Sequence, residues 1–179
     1  MDNPTAYSLT EAELETRLQA RLGERTSTVL LAFRRCYPGV QPFDLFSVIA
    51  TASVRQAALT QAERKAAQGA APAYVYLFTY HTPVLDGRPG AFHSAEIAFV
   101  FNNLDRCDQL TGGDPQAATL AEMMSEAWVN FARTGNPNGG NLPHWPAFTP
   151  AYRTTLVFDT TCAARDDFDG EALKSLPVG

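Results

Sequence analysis

"APAYVYLFTYHTP", residues 71–83, contains the apolar run that decides the fold class. Aromatic side chains alternate there with apolar or small ones: Tyr74, Tyr76, Phe78 and Tyr80 against Val75, Leu77 and Thr79. A short run that is apolar on both faces is typical of a strand inside a parallel or mixed sheet. Pro72 and Pro83 bracket it. We therefore predict a buried strand over residues 73–80 in an α/β protein.

The residues before this strand are predicted to be helical. Thr10 and Glu13 have capping-box spacing at the start of the first helix, which Gly23 ends. Leucines recur along that helix on one face: Leu14, Leu18 and Leu22. A second helix is predicted near residues 27–36 and a third over 42–69, because Pro42 suits a helix start and Gly69 a helix end.

After the strand, the clearest helical pattern covers residues 118–134, with Gly135 as its cap. Its predicted apolar stripe consists of Leu120, Met124, Ala127, Trp128 and Phe131. The Pro- and Gly-rich stretch 136–150 predicts a loop. A strand over 154–158 and a last short helix follow. We expect this strand to lie beside 73–80, with helix 118–134 packed on the sheet.

Two strands among five or six helices form an incomplete sheet for this fold class, because a strand with two apolar faces needs neighbours on both edges. We therefore interpret residues 1–179 as a single segment of a larger α/β domain. Residues 1–70 form its helical region, and residues 71–179 carry the strands and the remaining helices. Expressed alone, such a segment would expose apolar sheet surface and tend to self-associate.

Composition excludes several classes of function. Hydrophobic residues make up 45% of the chain and charged residues 18%, so a sizeable core can form. The net charge of −5 argues against a nucleic-acid surface. No apolar run approaches the roughly 20 residues that span a bilayer. Three widely spaced cysteines, with no disulfide pattern or C-x-x-C pair, favour the cytoplasm.

The titratable group that stands out is His93, in the Gly-rich stretch "GRPGAFHSAEIAFVF" over residues 87–101. Imidazole is the side chain best suited to act as a base near neutral pH. Taken alone, a histidine in such a loop is more often a packed loop residue than a catalytic base. The other two histidines, His81 and His144, are interpreted as structural or solvated. No two histidines have metal-ligand spacing, so no metal is expected.

Four motifs occur in order: "FH-x-x-EI-x-FVF", "W-x-NFA-x-TG-x-PN", "LP-x-WP-x-F" and "LVF". Together they make residues 70–160 resemble the C-terminal third of the type B carboxylesterase family, which includes para-nitrobenzyl esterases and the cholinesterases. The resemblance implies an α/β-hydrolase fold and hydrolysis of small-molecule esters by a Ser–acid–His triad. It implies no cofactor.

The resemblance assigns His93 to the triad histidine, which would deprotonate the serine and protonate the leaving alkoxide. For Glu96 it favours a buried carboxylate that braces the His93 loop. Two other interpretations stay open: Glu96 as the triad acid, or as a carboxylate at a helix N-terminus.

No G-x-S-x-G motif, where this family carries its nucleophile, occurs in the 179 residues. We therefore expect the nucleophile and the triad acid in an N-terminal part of the same enzyme, and expect this chain alone to be inactive. Any signal peptide would lie there too. A non-catalytic, cholinesterase-like interaction module is the alternative. Acyl and alcohol specificity are not encoded in any motif found here.

Overall fold

A computed structural model describes residues 7–177, so residues 1–6 and 178–179 of the predicted segment lie outside the described residues. In chain order the helices and strands are α1 Glu11–Leu22, α2 Thr26–Cys36, α3 Pro42–Ala67, β1 Tyr76–Phe78, α4 Ile97–Val100, α5 Asp108–Thr111, α6 Pro115–Thr134, β2 Thr155–Phe158, β3 Ala163–Arg165 and α7 Gly170–Ser175. Short 3₁₀ turns occupy Gly23–Arg25, Val84–Gly87 and Leu104–Arg106. No helix among the described residues is long and apolar enough to cross a membrane.

The predicted helix ends are confirmed where local capping decides them. The Thr10 side chain accepts from the Glu13 backbone N–H and the Glu13 carboxylate accepts from the Thr10 backbone, which closes the capping box of α1. Gly135 caps α6 with φ 75° in the left-handed region. The third helix begins at Pro42 as predicted, but it ends at Ala67, two residues before Gly69.

The chain divides into two compact units. The first comprises Met1–Ala58 with Asp167–Gly179. Within it α2 packs against both α1 and α7, and its core includes Leu14, Leu18, Val29 and Phe33. A buried ion pair joins Arg55 to Asp169, with Nε–Oδ2 and Nη2–Oδ1 distances of 2.9 Å and 3.2 Å. The last helix is thereby held to the first part of α3.

The second unit, Leu59–Asp166, contains the sheet. Its strand order is β1-β2-β3; β1 pairs with β2 in parallel, Tyr76 opposite Leu156, and β2 pairs with β3 antiparallel. The expected pairing of the two predicted strands is confirmed. The third strand was not predicted, because "AAR" has neither the length nor the β-branched residues of a typical strand.

The first strand is shorter and more exposed than predicted. It spans only Tyr76–Phe78, although backbone hydrogen bonds at both ends prolong the pairing, from Leu156 N–H to Val75 O and from Thr79 N–H to Phe158 O, each 2.9 Å. Only β2 flanks it among the described residues, and Tyr76 is 36% exposed. The second strand, by contrast, is buried at all four residues.

Helix α6 covers the sheet as expected. Its buried residues Leu120, Met124 and Ala127 join Leu156 and Phe158 of β2 in the main core of this unit. Aromatic rings extend the contact, with Trp128 lying 5.1 Å from Tyr76 and 6.0 Å from Phe158 between ring centroids. Phe131, predicted on the same stripe, is 46% exposed near the end of the helix, where its ring lies 5.9 Å from that of Tyr74, centroid to centroid.

Candidate active site: the His93 loop

His93 lies in the segment that follows the carboxyl end of β1, residues 81–95, here called the His93 loop. The carboxyl ends of parallel strands are where α/β proteins bind ligands. Within the loop, the Ala95 N–H donates to Phe92 O at 3.1 Å and closes a tight turn with His93 and Ser94 at its centre. Ser94 has φ 68°, a left-handed conformation that favours glycine. The turn presents an exposed imidazole directly before a residue whose backbone conformation is uncommon for a serine.

The chain entering the loop is hydrogen-bonded to α5 and to the connection between α5 and α6. The Tyr80 hydroxyl donates to Asp114 Oδ2 at 2.9 Å, and the buried Thr82 hydroxyl donates to Leu110 O at 2.6 Å. The backbone of Gly112 also lies very close to the loop, since a Cβ added there would be 2.6 Å from Pro83 Cγ. The loop therefore leaves the sheet along a defined path.

The chain leaving the loop is held by the short helix α4. Ala98 and Phe99 are buried in the core, and α4 packs against α6. The Phe99 ring lies 5.1 Å from Phe78 and 5.3 Å from Tyr80, centroid to centroid. Both ends of the His93 loop thus contact the same aromatic cluster at the end of β1.

The imidazole itself has no hydrogen bond or ion pair with another residue of the described range 7–177. Glu96 is half-buried at the N-cap position, directly before α4, where its side chain makes no capping hydrogen bond. The Glu96 charge, secondary to burial, raises the pKa of Tyr76. No hydrogen bond joins Glu96 to His93. His81, the first residue of the His93 loop, and His144, in the stretch 136–150, are both exposed.

The middle of the loop carries a second strained turn. Leu85 and Asp86 both have left-handed backbone angles, with φ 52° and 60°. The Arg88 Nε donates to Leu85 O at 2.8 Å, and its guanidinium lies 3.6 Å from the Asp86 carboxylate. Arg88 therefore contacts both left-handed residues of this turn, while the Leu85 side chain is 67% exposed.

Two other kinds of site, a metal centre and a cysteine nucleophile, have little support among the described residues. No three His, Cys, Asp or Glu side chains in that range are grouped as metal ligands would be. Burial raises the pKa of the Cys36 and Cys162 thiols, which keeps them protonated and weakly nucleophilic at neutral pH. The three cysteines are free thiols.

Several residues of the quoted motifs are structural. The Asn138 amide exchanges two hydrogen bonds with the Trp145 backbone, Nδ2 to O at 2.9 Å and N to Oδ1 at 2.7 Å. Asn136 Oδ1 in turn accepts from the Asn138 backbone N–H at 3.0 Å. These bonds fold the irregular stretch 136–150 onto the core, where Trp145 is 3% exposed. Loops without regular structure need such side-chain bonds to satisfy their backbone.

Sequence reasoning missed Tyr80, Asp114 and Ser94. One signal for Asp114 was available, because Asp followed by Pro115 is a typical N-cap and first helical residue. Indeed the Asp114 Oδ1 accepts from the Gln116 N–H at 2.9 Å at the start of α6. No local sequence pattern indicates that Asp114 contacts Tyr80 or that Ser94 has a left-handed backbone angle.

Comparison with known proteins places this arrangement in a family. The carboxylesterase family model matches residues 44–174, nearly three quarters of the chain. The chain belongs to the carboxylesterase family. Among relatives of this carboxylesterase segment, para-nitrobenzyl esterase of Bacillus subtilis is 32% identical over 108 residues, covering 59% of the segment and 22% of that enzyme. Phenmedipham hydrolase of Pseudarthrobacter oxydans is 30% identical over 160 residues, covering 87% of the segment and 32% of that enzyme.

Solved structures agree. A carboxylesterase of Geobacillus stearothermophilus superposes with TM-score 0.73 and 33% identity, covering 98% of the segment and 36% of that chain. An esterase of Clostridium hathewayi, described as hydrolysing aliphatic aromatic polyesters, superposes with TM-score 0.74 and 28% identity. The match covers 98% of the segment and 34% of that chain. The predicted fold class, part of an α/β-hydrolase fold, is confirmed. The segment spans only about a third or less of the length of the relatives it matches.

Proposed function

We propose that this carboxylesterase segment supplies the general base and acid, His93, of a carboxylic ester hydrolase. The observation that carries the proposal is the exposed imidazole, without a partner in the described range and presented by a turn whose two flanks are packed on the core. A base must be held still yet remain accessible to its reaction partners. Family membership supplies the reaction class.

In the proposed reaction the imidazole accepts the proton of a serine hydroxyl while the serine oxygen attacks the ester carbonyl. The imidazolium then donates that proton to the leaving alkoxide as the C–O bond breaks. The same ring deprotonates water for release of the acid product, which returns the enzyme to its starting state. A carboxylate on the second ring nitrogen would set the tautomer.

The serine and the carboxylate are proposed to come from an N-terminal part of the same protein. No G-x-S-x-G motif occurs in the sequence, and no carboxylate of the described range is paired with His93. The segment alone, residues 1–179, is therefore expected to be inactive. Glu96, half-buried three residues after His93, is proposed to brace the loop once that part is in place.

The two edge strands among the described residues, β1 and β3, differ in charge, and this difference bears on where further strands would pair. The Tyr76–Phe78 strand is apolar and carries no charge, whereas β3 includes Arg165 and is followed by Asp166 and Asp167. Charged side chains on an edge strand discourage pairing with another strand. We propose that the N-terminal part pairs with the free edge of β1, and that isolated copies of the segment self-associate through the same edge.

The test compares the full-length enzyme that carries this segment with its His93→Ala variant on a short-chain para-nitrophenyl ester. Loss of the base should reduce kcat by about 10³-fold or more without unfolding the protein, because triad members act as a unit. His81→Ala and His144→Ala are matched controls, since both imidazoles are exposed and lie outside the His93 loop's tight turn.

Near-full activity of His93→Ala would contradict the proposed role. A full-length protein with no esterase activity, yet correctly folded, would favour the non-catalytic interaction module instead. Enzyme-like turnover by the isolated segment would contradict the proposal that the nucleophile lies elsewhere.

A further inference from the structure

Tyr80 connects the two ends of the His93 loop. It is 2% exposed and directly precedes the loop, while its ring lies 5.3 Å from that of Phe99 in α4, which follows the loop. A second ring, Phe78 at the end of β1, contacts both, at 6.3 Å and 5.1 Å. Because the Tyr80 ring contacts residues on both flanks, its orientation affects the positions of the first and the last residues of the loop.

The Tyr80 hydroxyl is held in turn by Asp114. One carboxylate oxygen accepts from this hydroxyl at 2.9 Å, and the other accepts from the Gln116 N–H at the first turn of α6, also at 2.9 Å. Burial, with a further contribution from the Asp114 hydrogen bond, raises the pKa of Tyr80 to about 12, so the hydroxyl keeps its proton near neutral pH. A single carboxylate thus joins the N-terminus of α6 to the base of the loop.

We propose that Tyr80 and Asp114 are a positioning pair that sets the place of the His93 imidazole for proton transfer, an inference that rests on the proposed role of His93. Neither side chain needs to touch substrate. The hydrogen bond fixes the Tyr80 ring, the ring fixes Phe99, and the two together fix the span of the loop. Proton transfer is sensitive to displacements below 1 Å, so a small shift at the base of the loop lowers turnover.

Three substitutions in the full-length enzyme separate this role from simple stability. Tyr80→Phe removes only the hydroxyl and keeps the ring contact with Phe99. Asp114→Ala removes both hydrogen bonds. Asp114→Asn retains both, because its oxygen still caps Gln116 and its amide can donate to the Tyr80 oxygen. We expect kcat to fall about 10-fold or more in Tyr80→Phe and Asp114→Ala with KM within about twofold, and to recover in Asp114→Asn.

Two controls match these changes. Tyr152→Phe makes the same chemical change at a side chain that is 64% exposed. Thr10→Ala removes the N-cap of α1, the same kind of loss at a helix start, in the unit that does not contain the His93 loop. Neither control should alter kcat.

A second readout observes the imidazole directly. Histidine labelled with ¹³C at Cε1, assigned by loss of the signal in His93→Gln, should give one sharp His93 resonance in the parent enzyme. Tyr80→Phe and Asp114→Ala should shift or broaden it. An unchanged resonance and unchanged kcat in Tyr80→Phe would overturn the inference. A changed resonance with unchanged kcat would also overturn it, because the imidazole would then have moved without an effect on proton transfer. The catalytic role of His93 is tested separately, by the kcat of His93→Ala.

Discussion

The backbone angle of Ser94 leads to an unusual prediction: replacing this serine by glycine should stabilise the protein. Ser94 has φ 68° in the tight turn that presents His93, and its side chain is exposed. A side chain in the left-handed region costs roughly 1–2 kcal/mol through contact of Cβ with the backbone. Glycine removes that contact, but it loses about 0.5–1 kcal/mol more backbone entropy on folding. The free energy of unfolding should therefore rise by about 0.5–1 kcal/mol.

Ser125 provides a matched control with the opposite sign. It lies within α6, where the backbone is right-handed and glycine is a poor helix former. Ser125→Gly should lower the free energy of unfolding by about 0.5 kcal/mol, the difference between the helix propensities of serine and glycine. The same chemical change thus acts in opposite directions at two positions of the same unit, because the backbone is left-handed at one and right-handed at the other.

Urea unfolding followed by tryptophan fluorescence measures both effects, since Trp128 and Trp145 lie in the core of the unit that contains both serines. Ser94→Ala is the third member of the series. It keeps a Cβ, so it should unfold at nearly the parent urea concentration. Equal destabilisation by glycine at positions 94 and 125 would show that the turn at His93 does not hold the left-handed angle, and the reasoning would fail.

Two further predictions concern stability. Asp169→Asn should lower the free energy of unfolding by about 3–5 kcal/mol, because it removes the buried carboxylate charge that lies 2.9 Å from Arg55 Nε; urea unfolding would measure this, and a loss below about 1 kcal/mol would contradict it. Gly112→Ala should cost about 2 kcal/mol or more, since its Cβ would lie 2.6 Å from the rigid Pro83 ring at φ 74°. Thermal unfolding would test it, with Gly113→Ala as control because no atom lies within 4 Å of that Cβ and φ is similarly 64°.

The candidate site was only partly predictable. The motifs around His93 were enough to assign the family, and the match over residues 44–174 confirms that assignment. Nothing in the sequence indicated that Tyr80 would donate to Asp114, 34 residues away, or that Ser94 would adopt a left-handed angle. The role of His93 as a base stays a prediction, because its proposed partners lie outside this chain.

Local sequence by itself determined the helix ends and the two strands that pair, because a cap or an alternating pattern involves residues within a few positions of one another. The capping box of Thr10, the start at Pro42 and the cap at Gly135 are all of this kind. Tertiary structure alone decided the edge position of β1, the third strand and the ion pair between Arg55 and Asp169, 114 residues apart. These features depend on which distant segments meet, and a strand of three residues is stable only when a neighbour supplies its hydrogen bonds.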